Sequence, residues 1–368
     1  MRKLASIQTI SEIRPIPEAD KIVMARVLGY ECVVKKEDAK VGDLGVYFEV
    51  DSLLPDKPEF EFLRDVKFRI KIRKFKKQIS MGLFMPMSIL PSGNYNIGDD
   101  VTELLEVKNY ERISDEAEEN ANISQSKKLS PLTKYLLNYK LFREIYFKFN
   151  KKEKGSWPQW LAHTDEERLQ GCPRILLDNL GKSFYISVKC DGQSFSTFCH
   201  KSKSFLGFTK YSFGVCSRNI WLKTEDQSNY WNIARKYALK KKLLALKKNI
   251  VIQGELCGPG IQKNKLKLDT HKLFVFNVIE DGRQYSLQEM IDFCNKLDLS
   301  VVPIISTNWI AEFPNMDKNQ IIDAMVEMFK GNNIITKDER EGIVVRLNEN
   351  PRVSFKVINP NYLLKKED

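Results

Sequence analysis

The sequence predicts an α+β protein, with a small all-β barrel first and a larger domain of antiparallel sheets and helices after it. Three observations support this prediction. Residues 1–108 contain short strand patterns separated by Gly-Asp turns, and from about residue 165 paired strand patterns are separated by helical ones without regular βαβ alternation. The length of 368 residues also exceeds what one ordinary core accommodates.

The N-terminal domain is predicted over residues 1–110, from short runs rich in Val, Tyr and Phe. Ile22–Val34 and Val46–Val50 are two such runs, and Gly42-Asp43 lies between them as a turn signal. Lys67–Arg73 alternates strictly between basic and apolar residues, which predicts a strand with one basic face. Such a face fits either contact with nucleic acid or a solvated strand edge. Its members are Lys67, Arg69, Lys71 and Arg73.

Residues 111–162 are predicted to form a linker that contains a basic amphipathic helix. Asp115–Gln125 is polar and acidic, which is typical of a linker. From Ser130 to Phe149, apolar residues recur at helical spacing, with many lysines around them. A helix of this kind docks on a neighbouring domain with a solvated outer face, or binds RNA or a membrane surface.

The C-terminal domain is predicted over residues 163–368, from apolar strands and capped helices. One helix is predicted to follow Ser228, and Ser286-Leu287-Gln288-Glu289 is a capping box that predicts the start of another. The candidate strands are Tyr185–Lys189, Ile250–Glu255, Leu273–Ile279, Gly342–Leu347 and Val353–Ile358.

The charge balance indicates a polyanionic partner. The 59 Lys and Arg residues exceed the 48 Asp and Glu residues by 11, which favours nucleic acid or an anionic membrane surface. No apolar run approaches the ~18 residues of a membrane helix, and the N-terminus lacks an apolar signal core. We therefore expect an intracellular protein of the cytoplasm or nucleus that is neither secreted nor inserted into a membrane.

Cysteine and histidine usage narrows the metal chemistry. The seven cysteines include no C-x-x-C pair, and none of the three histidines has a second His or Cys at zinc-ligand spacing. A structural zinc site is therefore not expected. Any metal should be a hard cation held by carboxylates, phosphates and water.

Five predicted strands carry a charged or aromatic residue among apolar neighbours, which costs folding energy unless that residue is paired or used. Each motif alone is more often structural, as a surface charge, a cap or a core ring. Their fixed order along the chain is what points to a shared function. The motifs are Lys189-Cys190-Asp191-Gly192, Gly254–Gln262, Leu273–Phe276, Glu341–Arg346 and Val353–Lys356.

This order, together with Ser217-Arg218-Asn219, resembles the covalent nucleotidyltransferases, and within them the ATP-dependent RNA ligases of the RNA-ligase-2 type. The resemblance covers roughly residues 160–368, and Gly254–Gln262 is its most specific part. Thr164–Gln170 resembles the first segment of the same ligase domain, in which Arg168 would reach the nucleotide. Gly42–Pro55 is similar to the OB-type domain of the Naegleria-type RNA ligases.

The resemblance implies an activity and its cofactors. The enzyme would join RNA 3′-OH and 5′-phosphate ends, above all nicks in duplex RNA, through lysyl-AMP and AMP-capped RNA intermediates. ATP and a divalent cation, Mg²⁺ or Mn²⁺, are the implied cofactors, and RNA is the implied partner of a monomer. A lysine with the ordinary pKa of ~10.4 is protonated near neutrality, so we expect the surroundings of the nucleophile, including the cation, to favour its deprotonation.

The resemblance also assigns residues to these roles. Lys189 is the implied nucleophile, Phe276 the residue that stacks on adenine, and Arg218 and Lys356 the phosphate or ribose contacts. The implied nucleotide-binding residues are Lys189, Arg218, Glu255, Phe276 and Lys356, and the implied metal-binding residues are Asp191, Glu255 and Glu341.

Two alternatives stay open: a catalytically impaired RNA-binding relative, and a DNA ligase or GTP-using capping guanylyltransferase. The second pair places an OB domain after the last motif, whereas twelve residues follow Lys356 here, which favours the RNA ligase. The chain also departs from the family pattern at two positions. Ser354 replaces the usual first lysine of the last motif, so we expect one phosphate contact to be weaker or supplied by another cation. Asn277 follows Phe276 where many relatives have Asp.

Overall fold

The structure is a computed structural model that describes residues 3–110, 154–203, 208–223 and 225–367. The basic amphipathic helix predicted between Ser130 and Phe149 lies outside these residues, as does the acidic stretch before it. Within the described ranges, no helix is both long and apolar enough to cross a membrane.

The N-terminal part of the chain folds into short antiparallel strands. These are β1 Ala5–Pro15, β2 Ile22–Val27, β3 Tyr30–Lys35, β4 Leu44–Phe48, β5 Ser52–Leu53, β6 Arg73–Phe75, β7 Gln78–Ser80, β8 Leu83–Pro86 and β9 Lys108–Asn109. The main sheet has the order β3-β2-β1-β4-β8, while β5 pairs with β9 and β6 with β7. One apolar cluster forms around Phe48 and Phe60, and a second around Tyr30 and Tyr47. Both runs predicted from Val, Tyr and Phe content therefore fall in this sheet.

The predicted strand over Lys67–Arg73 is wrong. Pro58–Val66 is a 3₁₀ helix that ends at Lys67, where φ is 53°, and Phe68 follows with φ of 58°. Two successive left-handed residues interrupt the alternation of a strand, so the basic side chains of this segment share no single face. The alternation of apolar residues has another cause. Ile70 and Ile72 lie in an irregular segment, and both side chains are buried without a strand.

Arg69 consequently lies apart from the other basic residues of this segment. Its guanidinium donates to Asp51 Oδ1 at 2.6 Å and lies 4.0 Å from the centroid of the Tyr110 ring. Lys67 and Arg73, in contrast, are exposed. The basic face predicted from the sequence is thus divided between an inward-facing arginine and outward-facing cations.

The C-terminal part combines antiparallel sheets with helices, which confirms the α+β prediction. Its strands are β10 Lys154–Ser156, β11 Ser183–Val188, β12 Gln193–Lys203, β13 Thr209–Cys216, β14 Ile220–Leu222, β15 Ile250–Cys257, β16 Lys272–Glu280, β17 Arg283–Gln284, β18 Ser300–Val301, β19 Ile304–Ile310, β20 Gly342–Leu347 and β21 Ser354–Ile358. Its helices are α1 Arg174–Leu177, α2 Asn229–Lys236, α3 Leu239–Leu246, α4 Leu287–Lys296, α5 Lys318–Met328 and α6 Pro360–Glu367.

Two sheets form the frame of this domain. The larger has the order β10-β14-β13-β12-β15-β16-β17, with β18 parallel to β16, and the smaller has the order β19-β11-β20-β21. Both helix starts predicted from caps are confirmed: Ser228 caps α2, and Ser286 with Glu289 forms the capping box of α4. A third apolar cluster, which includes Val188 and Phe274, joins the strands of the two sheets beside the cavity described below.

Polar contacts join the N-terminal sheet to the C-terminal domain. Arg26 on β2 is 5% exposed and donates to both carboxylate oxygens of Asp323 on α5, at 3.3 and 2.9 Å. The Gly29 N–H in the β2–β3 turn donates to the Gln170 carbonyl at 3.1 Å. These contacts place the N-terminal domain beside the segment that leads into α1.

Candidate active site

A cavity of about 340 Å³ is lined by residues of both domains. Its volume lies at the lower end of the ~300–1,000 Å³ typical of small-molecule sites. The predicted nucleotide- and metal-binding residues all line it: Lys189, Asp191, Arg218, Glu255, Phe276, Glu341 and Lys356. Arg168 and Arg69 line it as well, whereas Lys67, Lys71 and Arg73 do not. The cavity therefore collects residues that are spread over most of the chain.

Side chains on one face of β11, β20 and β21 lie in three rows, and most of them line the cavity. The first row is at Lys189, whose N–H donates to the Gly342 carbonyl at 3.0 Å. Residues 166–169 run beside β21, where a parallel bridge joins Arg168 to Lys356. The second row is Ser187, Val344, Lys356 and Arg168, and the third row is Tyr185, Arg346, Ser354 and Glu166.

Lys189 follows the end of β11, and its Nζ donates to Glu341 Oε1 at 2.6 Å. Burial alone favours the neutral amine, but the carboxylates of Glu341, Glu255 and Asp191 outweigh it and raise the pKa of Lys189 above its ordinary value. The protein residues alone therefore hold this lysine protonated. A nucleophilic amine requires that the surrounding negative charge be neutralised by something the site binds.

Glu255 lies on β15 and accepts a hydrogen bond from the Gly192 N–H at 3.0 Å. Glycine is required at 192 because a Cβ there would come within 2.5 Å of the Leu256 carbonyl oxygen. Burial raises the pKa of Glu255 to about 8; Lys189 opposes this shift, and the carboxylates of Glu341 and Asp191 add to it. The crowding of carboxyl groups around the lysine thus favours a protonated Glu255 in the empty site, and a bound cation would favour its ionised form.

Asp191 accepts a hydrogen bond from the Tyr362 hydroxyl, with Oη 2.6 Å from Oδ2. Tyr362 lies on α6, is 7% exposed, and was not identified from the sequence. The sequence contains only a weak signal for Tyr362. Asn359-Pro360 is a typical helix start, so it predicts that the last residues form a helix, but it does not predict what that helix contacts.

Asp191, Glu255 and Glu341 supply the oxygen ligands that Mg²⁺ and Mn²⁺ prefer. In the described part of the chain, however, no three His, Cys, Asp or Glu side chains converge to form a complete ligand set by themselves. The carboxylates around Lys189 fit a hydrated cation that takes its other ligands from water and from the phosphates of a nucleotide.

Phe276 on β16 and Arg218 after β13 also face the cavity. The Phe276 ring is half-buried, which leaves part of it available to a planar ligand. Arg218 Nη2 lies 2.7 Å from Asp165 Oδ1, so an ion pair holds its guanidinium at the cavity edge. Asn277, the second departure from the family pattern, donates from Nδ2 to Gln253 Oε1 at 2.9 Å, a contact that an ionised aspartate could not donate.

Glu166 and Arg346 are further cavity residues that the sequence did not identify. Arg346 is 3% exposed, and its Nη2 donates to Glu166 Oε1 at 2.6 Å. The Ser354 hydroxyl donates to the other Glu166 oxygen. An arginine within the apolar strand pattern of β20 is a sequence signal for a buried, paired charge. It does not identify the partner, because Glu166 lies 180 positions away in the sequence.

The fold and the lysine-centred cavity define a covalent nucleotidyltransferase with an additional N-terminal β-domain. A family model described as RNA ligase matches residues 182–358, and a model described as an OB-fold domain matches residues 4–87. Residues 182–358 therefore match the RNA ligase family, and an OB-fold domain precedes them in the chain. The OB-type prediction for the N-terminal domain is thereby confirmed.

Solved structures of Naegleria gruberi RNA ligase resemble the whole chain. The complex with PPi is 27% identical with a TM-score of 0.77, and 100% of each chain is covered. A mutant with ATP and Mn is 28% identical with a TM-score of 0.78, covering 100% of this chain and 98% of that chain. A mutant with AMP and Mn is 26% identical with a TM-score of 0.76, covering 99% of each chain. No curated protein matches the chain.

Proposed function

We propose that this protein is an ATP-dependent RNA ligase that joins RNA 3′-OH and 5′-phosphate ends, with nicks in duplex RNA as its substrate. The observation that carries the proposal is the position of Lys189, which directly follows β11, lines the cavity and pairs with Glu341 at 2.6 Å. Naegleria gruberi RNA ligase, whose structures contain ATP and Mn, supports ATP and a divalent cation as the cofactors.

In the first step, the Lys189 amine attacks the α-phosphorus of ATP. The ammonium first gives one proton to Glu341, whose Oε1 lies 2.6 Å from Nζ. The Nζ–P bond then forms, the bond to pyrophosphate breaks, and Nζ releases a second proton to solvent. A divalent cation held by Asp191, Glu255 and Glu341 would supply positive charge at the phosphate and counter the carboxylates that raise the pKa of Lys189.

The remaining steps transfer AMP and then release it. An oxygen of the RNA 5′-phosphate attacks the AMP phosphorus, the Nζ–P bond breaks, and the lysine regains its proton. The RNA 3′-OH then attacks the activated 5′-phosphorus, loses its proton, and displaces AMP. Lys356 and Arg168 in the second row lie next to the Lys189 row, where they can contact phosphate oxygens as fixed cations.

Phe276, Arg218 and Arg346 fit contacts with the nucleoside rather than with the reacting phosphorus. The Phe276 ring faces the cavity and offers a planar surface on which adenine can stack. We assign the exposed cations Lys67 and Arg73 to RNA phosphates, and Arg69, which lines the cavity, to the nucleotide instead.

Incubation with ATP labelled at the α-phosphate and Mn²⁺ or Mg²⁺ tests the first step. We expect a covalent protein–AMP adduct that Lys189→Ala abolishes, while Lys182→Ala, at an exposed lysine outside the cavity, leaves it intact. A folded protein that forms no adduct would support the alternative of a catalytically impaired RNA-binding relative. An adduct formed from GTP in preference to ATP would support a capping guanylyltransferase.

Sealing assays test the substrate. We expect joining of nicked duplex RNA with transient AMP-capped RNA, and much weaker joining of the corresponding nicked DNA. Equal sealing of both would contradict the RNA assignment. Sealing of single-stranded ends at the rate of nicks would contradict the duplex assignment alone.

A further inference from the structure

A half-exposed tryptophan lies on the large sheet, outside the cavity described above. Trp160 is 44% exposed, more than any of the other four tryptophans. Its indole stacks on the His200 ring, with the centroids 4.3 Å apart and the planes 11° apart, and it meets the Phe198 ring edge-to-face at 4.9 Å. We refer to the stacked rings of Trp160 and His200 as the aromatic platform. A single exposed ring is common on protein surfaces, so its position and its surroundings decide what it does.

The aromatic platform is held in place by contacts within its own segment and across the sheet. Trp157 Nε1 donates to the Leu161 carbonyl at 2.6 Å, and the Trp157 ring stacks on His163 with the centroids 4.6 Å apart. Beneath the exposed indole, His200 Nδ1 lies 3.2 Å from Asn249 Oδ1, which fixes the imidazole. Because both rings of the platform are already ordered, a ligand that packs on them costs little side-chain entropy.

The platform lies on the same face of the large sheet as the cavity. Alternate residues of a strand share a face, so Ser194, Phe198 and His200 of β12 point to the same side. Ser194 lines the cavity, and His200 follows six residues later, which is about 20 Å along the strand at ~3.3 Å per residue. The segment that carries Trp160 follows the same path, because Thr164 Oγ1 lies 3.1 Å from Ser194 Oγ. One sheet face therefore leads from the cavity to the exposed indole.

The strands around the platform carry positive charge. Strands β10, β12, β13 and β14 contain four lysines and no aspartate or glutamate. Lys210 is exposed and lies two residues from the β13 partner of His200, on the same face. Lys223, directly after β14, is also exposed, and its Nζ lies 5.5 Å from the centroid of Trp221, whose ring contacts Phe198. The charge of this surface is complementary to a polyanion.

RNA fits this surface better than a protein partner does. A stable protein interface buries roughly 800 Å² on each partner, which one half-exposed ring does not supply. Nucleic-acid contacts, in contrast, combine lysines on phosphates with single aromatic rings. A nicked duplex has an arm on each side of the nick, and a nick placed at Lys189 directs these arms out of the cavity. The sheet face that leads to Trp160 offers a path for one of them.

We propose that the aromatic platform, together with Lys210 and Lys223, binds one arm of the nicked RNA duplex. Trp160 packs against the riboses that the wide, shallow minor groove of an RNA helix exposes, and the two lysines contact the phosphates beside them. At the ~3.4 Å spacing of nucleotides along a duplex, a distance of about 20 Å corresponds to roughly six base pairs from the nick. The proposal rests on the proposed function for the identity of the substrate.

Equilibrium binding of nicked RNA duplexes, measured without ATP, tests the proposal. The duplexes have arms of about 4 or about 12 base pairs on either side of the nick, so that only a long arm reaches the platform. We expect Trp160→Ala to weaken binding about tenfold when the arm on one particular side is long, and to have little effect when that arm is short. Trp160→Phe, which keeps a planar ring, should retain most of the affinity. An equal effect of Trp160→Ala at every arm length would overturn the proposal.

Two further variants separate RNA contact from general effects on the fold. Met328→Ala is the matched control, because Met328 is an apolar side chain on α5 that is 50% exposed and lies outside the cavity. It should leave the binding of every duplex unchanged. Lys210→Ala combined with Lys223→Ala leaves the stacked rings in place. It should lower the slope of log K against log [salt] by roughly 2 in magnitude for the long-arm duplex that Trp160→Ala affects. An unchanged slope would contradict the proposal.

Adenylylation and sealing by the wild-type protein separate this inference from the proposed function. If the wild-type protein forms no adduct with AMP but Trp160→Ala still weakens binding of the long-arm duplex, the platform stands and the ligase activity is contradicted. If the wild-type protein forms the adduct and seals nicks, but Trp160→Ala binds every duplex as tightly as wild type, the activity stands and the platform is wrong. An equal loss of affinity for a single strand of the same length would contradict the assignment to the duplex arm.

Discussion

Replacing Tyr362 by phenylalanine should slow formation of the lysyl-AMP adduct while leaving the fold intact. The substitution removes one hydroxyl, and with it the hydrogen bond of 2.6 Å to Asp191 Oδ2. The ring keeps its volume and its place among buried residues, so no cavity is created. The substitution should therefore affect mainly the orientation of Asp191, which lines the cavity two residues after Lys189.

The size of the effect follows from the chemistry of the contact. A hydrogen bond from a neutral hydroxyl to a carboxylate contributes about 1.5–3 kcal/mol when it is buried. If the whole contribution is expressed in the step that needs an oriented Asp191, the rate falls about 10- to 100-fold, since ~1.4 kcal/mol corresponds to a factor of ten. Partial compensation by water would give the lower end of this range.

Single-turnover labelling with α-labelled ATP over a series of Mn²⁺ concentrations measures this rate directly. Tyr285→Phe is the matched control, because its hydroxyl also donates to a carboxylate, that of Glu280, outside the cavity. The control should adenylylate at the wild-type rate. A Tyr362→Phe protein that matches wild type at every metal concentration would refute the argument that α6 orients Asp191 for adenylylation.

Three further predictions concern stability, backbone strain and RNA binding. Without metal and nucleotide, stability should decline as pH rises from about 4.5 to 8, because native Glu255, with its pKa of about 8, keeps a proton that the unfolded chain releases. Glu255→Gln should reduce this decline by about 3 kcal/mol in urea unfolding at pH 5 and pH 8, and an unchanged decline would contradict the argument. Gly258→Ala should destabilise the protein by about 1–3 kcal/mol in thermal unfolding, since φ is 146° and a Cβ would lie 2.8 Å from the His271 Cα; an unchanged midpoint would contradict this. Neutralising Lys67 and Arg73 together should weaken RNA binding while adenylylation stays normal. The slope of log K for RNA binding against log [salt] should fall by roughly 2 in magnitude. Loss of adenylylation as well would contradict the assignment of these two residues to RNA phosphates.

The parts of the fold that could be predicted are those in which local sequence and tertiary environment agree. β15 and β16 are buried strands, so they occur as apolar runs, and the cap of α4 is a contact between residues three positions apart. The centre of the site was also predictable, because Lys189 and Glu255 occur in motifs with a fixed order. These features depend on residues that are near one another in the sequence.

The remaining site residues could not be predicted because their partners are distant. Tyr362 and Asp191 are 171 positions apart, and nothing in the last helix indicates which carboxylate it meets. The strand prediction for the segment from Lys67 to Arg73 was wrong for a different reason. Alternating burial of isoleucines gives the same pattern in an irregular segment as in a strand, and a positive φ at a lysine has no sequence signal.

The wrong strand prediction over Lys67–Arg73 changes how the net charge of +11 is interpreted. The excess of basic residues suggested one continuous surface for a polyanion. In the structure, however, some basic residues of the N-terminal domain line the cavity and others lie on the surface. Arg69 pairs with Asp51, which lies 3.7 Å from Arg168 of the ligase domain, and all three line the cavity. Exposed Lys67 and Arg73 remain available to RNA. The N-terminal domain therefore lines part of the cavity that we propose binds the nucleotide, so substitutions in it should be scored separately for adenylylation and for sealing.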